Sequence, residues 1–136
     1  MAEKRRILLI EDEPSIVKLV STRLQTAGFD VTVATNGWDG LAKAREGQAE
    51  LIILDVILPK LNGYEICTLL KRDTKYEHIP IIILSAKSQE GDEHEGITCG
   101  ADAYVSKPFK HEVLLDLINM LLAKQPPAQE ALGSSG

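Results

Sequence analysis

The chain contains little of what would mark several common classes of protein. Its only two cysteines, Cys67 and Cys99, lack CxxC spacing. Such cysteines are most often small buried side chains, so we expect no disulfide framework, metal site or redox centre from them. No apolar run approaches the ~18 residues of a membrane-spanning helix. The basic start precedes a short apolar stretch that meets acids, which is unlike a secretory signal, so we expect a cytoplasmic location and no membrane partner.

The chain also lacks an excess of positive charge. Its 15 Lys and Arg are outnumbered by 20 Asp and Glu, giving a net charge of -5. That charge repels a phosphate backbone, so we do not expect this chain itself to bind nucleic acid. The 136 residues are 44% hydrophobic and 26% charged, which is typical of one globular domain with a core.

Five short apolar runs recur along the chain, and stretches with helical spacing or composition separate them. The runs are "RRILLI", "FDVTVA", "LIILD", "PIIIL" and "AYV". Strands that alternate with helices are typical of a doubly wound α/β fold with a parallel sheet.

The first predicted helix runs from Pro14 to Ala27, with Asp12 or Glu13 as its cap and Gly28 as its stop. The second and third begin after the Asn-Gly turns in "TNG" and "LNG". The fourth, within "SQEGDEHEGIT", contains two glycines, each costing about 1 kcal/mol relative to alanine, so we expect it to be short and loosely held.

The last predicted helix runs from about Lys110 to Lys124. We expect its sheet-facing stripe to be Val113, Leu114, Leu117, Ile118 and Leu121. The remaining residues, 125–136, are proline-rich and then small and polar, which predicts a flexible linker or tail.

Three carboxylates are predicted to meet at one edge of this sheet. Asp55 ends the strand "LIILD", and Glu11 with Asp12 follows the strand "ILLI". In an open parallel sheet, ligands bind beyond the carboxyl ends of the strands. Packed carboxylates repel unless a cation lies among them, and an all-oxygen ligand set suits Mg²⁺. Acids after a strand are also common helix caps, but the "VILP" that follows Asp55 gives that residue no local helix to cap.

Two further strand ends carry polar groups that suit a phosphoryl ligand. "PIIILSAK" places Ser85 there, and "AYVSKPF" places Lys107 there. A hydroxyl can donate to one phosphoryl oxygen and an ammonium can neutralise another. Either residue alone is more often ordinary surface. Pro108 restricts the backbone of Lys107 and so helps to aim its side chain.

From about Arg6 to Leu122 the sequence resembles the receiver domain of two-component response regulators. The resemblance rests on "ED", "LDVILPKLNG", "SA" and "KPF", each after its strand and in order. It implies a flavodoxin-like (βα)5 fold with strand order 2-1-3-4-5, over a domain spanning residues 1–124. It also implies Asp55 as the phosphoacceptor, with Mg²⁺ held by Glu11, Asp12, Asp55 and the backbone carbonyl of Ile57.

The same resemblance assigns the switching residues and the partners. Ser85 becomes the switch hydroxyl, Lys107 the phosphate-pairing cation and Tyr104 the switch aromatic, although an ordinary half-buried strand tyrosine fits that position equally well. The implied phosphodonor is a sensor histidine kinase or a phosphotransfer protein. The implied output surface surrounds helix 4, strand 5 and helix 5, with a phosphorylation-dependent homodimer or a downstream effector as partner.

Three competing classes of protein are weighed against this one. A flavin-binding module needs a hydroxyl-rich phosphate loop where the chain has "IEDEPS". A phosphatase with an aspartate nucleophile needs a second acid where Ile57 stands, so we expect no enzyme beyond a domain that catalyses its own phosphoryl transfer. A degenerate receiver that binds a partner without phosphorylation is the remaining alternative.

Overall fold

The computed structural model describes residues 4–58, 60–86 and 99–124. The five strands are β1 (Arg6–Ile10), β2 (Asp30–Ala34), β3 (Leu51–Asp55), β4 (Ile81–Ala86) and β5 (Ala103–Lys107). The helices in these ranges are α1 (Pro14–Thr26), α2 (Gly37–Arg45), α3 (Gly63–Lys71) and a C-terminal helix (His111–Ala123). The fourth predicted helix, within residues 88–98, and the predicted linker, residues 125–136, lie outside the described residues.

All five strands pair in parallel, in the order β2-β1-β3-β4-β5. The predicted α/β architecture and strand order are therefore confirmed. β3 is central, and all five of its residues are buried. A strand covered on both faces has no solvent side, which explains why "LIIL" is a continuous apolar run with no polar alternation.

The sheet separates two apolar cores. On one face, Ile52 and Leu54 pack in a cluster with residues of α2 and α3. On the other face, Leu51 and Ile53 pack with residues of α1 and the C-terminal helix. Because successive strand residues point to opposite faces, one apolar strand supplies both cores. None of the helices in the described ranges is long and apolar enough to cross a membrane.

The first three helices begin close to where the sequence predicts. Asn36 and Asn62 cap α2 and α3, where their side chains accept hydrogen bonds from the backbone N–H groups of Asp39 (3.0 Å) and Glu65 (3.1 Å). The cap residue of α1 is Glu13, but its side chain makes no capping hydrogen bond. Gly28 follows that helix with φ of +98°, a conformation that glycine adopts without a steric penalty.

The amino end of α2 packs directly on the loop that follows β3. A Cβ atom at Gly37 would lie 1.9 Å from the carbonyl oxygen of Leu61, which is far too close for any side chain. Glycine at this position therefore lets α2 and the β3–α3 loop approach each other. The contact helps to fix the path of the chain directly after Asp55.

The buried stripe of the C-terminal helix differs from the predicted one. Val113 is 47% exposed, whereas Leu122 is only 5% exposed, so the prediction that Val113 faces the sheet is wrong. The buried residues are Leu114, Ile118, Leu121 and Leu122. Each residue turns the helix by about 100°, so an apolar residue at the edge of a broad stripe can fall on the solvent side.

This difference predicts unequal costs for two truncations on the same helix. Ile118→Ala removes a fully buried side chain and should lower the free energy of unfolding by about 2–5 kcal/mol. Val113→Ala truncates a half-exposed side chain and should lower it by less than about 1 kcal/mol. Urea unfolding followed by circular dichroism measures both values. An equal loss in the two variants would contradict the observed orientation of the helix.

Candidate metal centre

Three carboxylates converge beyond the carboxyl ends of β1 and β3. Ile10, the last residue of β1, pairs with Leu54, so Glu11 and Asp55 occupy neighbouring positions on adjacent strands. One carboxylate oxygen from each of Glu11, Asp12 and Asp55 lies within 4.8 Å of the others. The predicted meeting of these three acids is thus present in the folded chain.

The three acids differ in their exposure to solvent. Glu11 is fully buried and Asp55 is 6% exposed, whereas Asp12 is exposed. The backbone N–H of Glu11 donates to the carbonyl of Ala34 (3.0 Å), and its Oε2 accepts a hydrogen bond from the backbone N–H of Glu13 (3.2 Å). The backbone on both sides thereby holds the Glu11 carboxylate inward. Asp12 is the member of the cluster that borders solvent.

Lys107 supplies a cation to this cluster. It is the last residue of β5, and its peptide bond to Pro108 is cis. Its Nζ lies 3.1 Å from Glu11 Oε1 and 3.3 Å from Asp55 Oδ1. Burial alone would lower the pKa of this ammonium, but attraction to the carboxylates of Asp55 and Glu11 outweighs burial and raises the pKa.

Burial has a large effect on the ionisation of Glu11. Burial raises the pKa of Glu11 from 4.5 to about 7, and the neighbouring carboxylate of Asp55 adds to the effect. The N–H of Glu13 and the charge of Lys107 act in the opposite direction and do not cancel it. With a pKa of about 7, the carboxyl of Glu11 changes its protonation state near neutral pH.

The remaining predicted site residues lie on the same strands and on the following loop. Ser85 is fully buried near the end of β4, one residue beyond Leu84, which pairs with Asp55. Ile57 is 59% exposed, two residues after Asp55. Tyr104 is half-buried on β5 and packs against the core on the side of α2 and α3. The geometry thus gathers the acids with Lys107, and it places Ser85 at the same edge of the sheet.

Sequence reasoning missed one residue beside the site, Gly63. Its backbone N–H donates to the carbonyl of Val56 (2.9 Å), and a Cβ atom there would lie 2.2 Å from the carbonyl oxygen of Asp55. The "LNG" stretch predicts a turn and a helix start, but it does not reveal that the turn folds back onto Asp55. Only a contact between residues eight positions apart carries that information.

The donor set fits a hard divalent cation. Three carboxylates and one ammonium leave an excess of negative charge when all four are ionised, and all of the acidic donors are oxygens. Mg²⁺ prefers oxygen ligands and takes one or two carboxylates together with water or phosphoryl oxygens. A cation bound among these acids would also favour the ionised form of Glu11, which the metal-free site disfavours.

Comparison with known proteins identifies the family. The sequence model described as "Response regulator receiver domain" matches residues 7–119. The chain belongs to this family. The fold, the order of the strands and the position of the acids agree with that membership. Receiver domains are signalling domains of two-component systems, and they typically bind Mg²⁺ through such an acidic cluster.

One curated relative is the "DNA-binding dual master transcriptional regulator RpaA" of Synechocystis sp. It is 43% identical to this receiver domain over 119 residues, which is 88% of this chain and 49% of the relative. The "Response regulator ArlR" of Staphylococcus saprophyticus is 39% identical over 89% of this chain and 54% of its own length. The chain thus spans about half the length of these two relatives.

The solved structures that resemble the domain include the receiver domain of the sensor histidine kinase PA1611 from Pseudomonas aeruginosa, which has a magnesium ion coordinated in its active site cleft. The two share 28% identity with a TM-score of 0.82, over 88% of this chain and 98% of that one. The chemotaxis protein CheY4 of Vibrio cholerae shares 32% identity with a TM-score of 0.79, over 87% and 98% of the two chains.

The raised pKa of Glu11 predicts a pH-dependent stability of the metal-free receiver domain. A raised pKa contributes stability that is fully present below the ordinary value of 4.5 and is lost as the pH rises through about 7. Glutamine mimics the protonated side chain at every pH. In EDTA, Glu11→Gln should therefore exceed the wild type's free energy of unfolding by less than about 1 kcal/mol near pH 5 and by about 1–3 kcal/mol at pH 8.

Urea unfolding at the two pH values measures this difference. Glu77→Gln removes an exposed carboxylate outside the cluster and should change stability equally at both. If Glu11→Gln were less stable than the wild type by the same margin at pH 5 and pH 8, burial would not be acting on the Glu11 carboxylate.

Proposed function

We propose that this receiver domain, spanning residues 1–124, accepts a phosphoryl group on Asp55 in the presence of Mg²⁺. The donor is a phosphohistidine of a sensor histidine kinase or of a phosphotransfer protein. The observation that carries the proposal is the convergence of Asp55 with Glu11, Asp12 and Lys107 at one edge of the sheet.

The ion would be held by the carboxylates of Glu11, Asp12 and Asp55 and by the backbone carbonyl of Ile57. Bound there, Mg²⁺ neutralises the acids and the phosphoryl oxygens, which removes the repulsion between an anionic acceptor and an anionic donor. The full burial of Glu11 and the exposure of Asp12 support this arrangement, because Asp12 leaves the cluster open to solvent on one side.

The transfer itself replaces one bond to phosphorus by another. A carboxylate oxygen of Asp55 forms the new O–P bond while the N–P bond of the donor breaks, and the electron pair of that bond returns to the imidazole nitrogen. Lys107 pairs with the equatorial phosphoryl oxygens, since its ammonium already lies 3.3 Å from Asp55 Oδ1. The two histidines in the described ranges do not lie at the ends of the strands that carry the acids: His78 is exposed on the loop before β4, and His111 begins the C-terminal helix.

Phosphorylation adds charge at Asp55 and changes the hydrogen-bonding demand on its neighbours. Ser85 donates its hydroxyl to a phosphoryl oxygen, and Lys107 transfers part of its pairing from Glu11 to the phosphate. Tyr104, which lies between the core and solvent on β5, turns inward as the end of β4 moves. The altered surface around β5, the C-terminal helix and the predicted fourth helix then binds a second copy or a downstream effector.

The degenerate receiver is the competing function, and nothing observed favours it. Such a domain has no need of a buried glutamate and a lysine paired at the acceptor position. Here burial of the Glu11 carboxylate destabilises the metal-free fold, and Lys107 contacts both Glu11 and Asp55, an arrangement that is useful for phosphoryl chemistry.

The proposal predicts that Asp55→Asn abolishes phosphorylation by acetyl phosphate and Mg²⁺. The amide cannot form the acyl phosphate, so intact-mass spectrometry should find no added phosphoryl group. Asp116→Asn, which changes an exposed acid of the C-terminal helix, should be labelled like the wild type. Undiminished labelling of Asp55→Asn would remove the site assignment, and a wild type that takes no label would favour the degenerate alternative.

A further inference from the structure

The two cysteines are not part of the acid cluster, and the fold brings them close to each other. Cys67 is fully buried in α3, and Cys99 is 6% exposed a few residues before β5. The Cys67 thiol donates to the carbonyl oxygen of Cys99 over 3.5 Å, which places the Cys67 sulfur directly beside residue 99. The fold therefore brings together two sulfur atoms that are 32 positions apart in sequence.

An ion pair one helical turn further along α3 also connects this helix to the chain before β5. Lys71 Nζ lies 2.7 Å from Asp102 Oδ2, and that oxygen also accepts a hydrogen bond from the backbone N–H of Ile81 (2.8 Å). A Cβ atom at Gly100 would contact the Lys71 side chain at 3.3 Å. The backbone around Cys99 is thus packed closely on α3, which restricts how far the two thiols can separate.

The two thiols differ in how readily they lose a proton. The hydrogen bond from Cys67 lowers the pKa of the Cys99 thiol to about 7, although burial acts in the opposite direction. The same hydrogen bond and burial raise the pKa of Cys67. Cys99 is therefore the nucleophilic sulfur, because the thiolate is the reactive form and Cys99 also retains slight contact with solvent.

We propose that Cys67 and Cys99 are a modification site that closes to an intramolecular disulfide when a peroxide oxidises the domain. The Cys99 thiolate attacks one oxygen of hydrogen peroxide and the O–O bond breaks. Cys99 becomes a sulfenic acid, and the other oxygen departs as hydroxide. The sulfur of Cys67 then attacks that of Cys99, and hydroxide leaves from the sulfenic acid. The proton of the Cys67 thiol converts one hydroxide to water, so two thiol sulfurs are oxidised and one peroxide is reduced.

The disulfide ties α3 to the chain just before β5, and it is independent of the acid cluster. Neither cysteine belongs to the group formed by Glu11, Asp12, Asp55 and Lys107. Oxidation therefore adds an input near the amino end of β5, whereas the phosphoacceptor lies at the carboxyl end of β3. A thiol reductant such as dithiothreitol reverses it by exchange.

The test is peroxide treatment of the reduced wild-type domain, followed by unfolding in N-ethylmaleimide and mass spectrometry. We expect a monomer that has lost two hydrogen atoms and carries no maleimide, and that regains two reactive thiols after dithiothreitol. Tryptic digestion should join the peptide 61–71, which contains Cys67, to the peptide 88–110, which contains Cys99. The oxidised protein should also unfold at a higher temperature than the reduced one, because the bond restricts the unfolded chain.

Cys67→Ser and Cys99→Ser are the matched controls, and neither should yield the joined peptides. Cys67→Ser should instead accumulate a sulfenic acid that dimedone traps on residue 99. The proposal is overturned if the treated wild type keeps two alkylatable thiols, forms only disulfides between molecules, or unfolds at a lower temperature once oxidised. All of these outcomes are read on the wild type, so a variant that fails to fold does not obscure the result.

Labelling by acetyl phosphate separates this inference from the proposed function. The oxidised wild type should still take one phosphoryl group, since the acid cluster is untouched. A disulfide that forms in a domain unable to take phosphate would sustain the inference and reject the function. Labelling without a disulfide would do the reverse.

Discussion

Repulsion among three carboxylates is the constraint on which the rest of this structure depends. Glu11 and Asp55 are placed side by side because β1 and β3 are neighbours in the sheet, and both side chains are almost wholly removed from water. Lys107 partly offsets that repulsion by pairing with Glu11 and Asp55. It comes from β5, two strands away from β3. One ammonium cannot balance three acids. Burial, together with the neighbouring carboxylate of Asp55, raises the pKa of Glu11, and a divalent cation would favour the ionised form of these acids.

The apolar framework makes this concentration of charge tolerable. β3 is buried on both faces, and its neighbours contribute to the cores above and below the sheet, so the strand ends cannot separate to relax the acids. Gly63 and Gly37 remove side chains where the loop after Asp55 folds back and where α2 packs on that loop. Stability elsewhere in the fold thus holds in place a site that is itself destabilising, as is common where function requires a strained arrangement.

Much of this arrangement could be predicted from the sequence, because the rule that places it is simple. Parallel strands end at one edge, so acids that follow two apolar runs must come close together, and Asp55 with Glu11 and Asp12 does so. The strands and the helix caps at Asn36 and Asn62 follow from local patterns of the same kind.

What could not be predicted depends on contacts between distant segments. The exposure of Val113 and the burial of Leu122 are set by how the C-terminal helix is rotated against the sheet, which a broad apolar stripe leaves undetermined. Cys67 and Cys99 have no spacing motif, yet the packing of α3 against the chain before β5 places the Cys67 thiol against the backbone carbonyl of Cys99. The sequence therefore predicts no redox role for the two cysteines, whereas their positions in the fold suggest one.

The most direct test of the account is the affinity for Mg²⁺ measured by isothermal titration calorimetry at pH 7.5. We expect one site, with an affinity that falls by about tenfold or more in Asp12→Asn because one charged ligand is removed. We expect no change in Glu13→Gln, which neutralises the next acid in the chain, an exposed side chain outside the cluster. Equal affinities in the wild type and both variants, or no binding in any of them, would contradict the claim that the acids at this edge of the sheet bind a divalent cation.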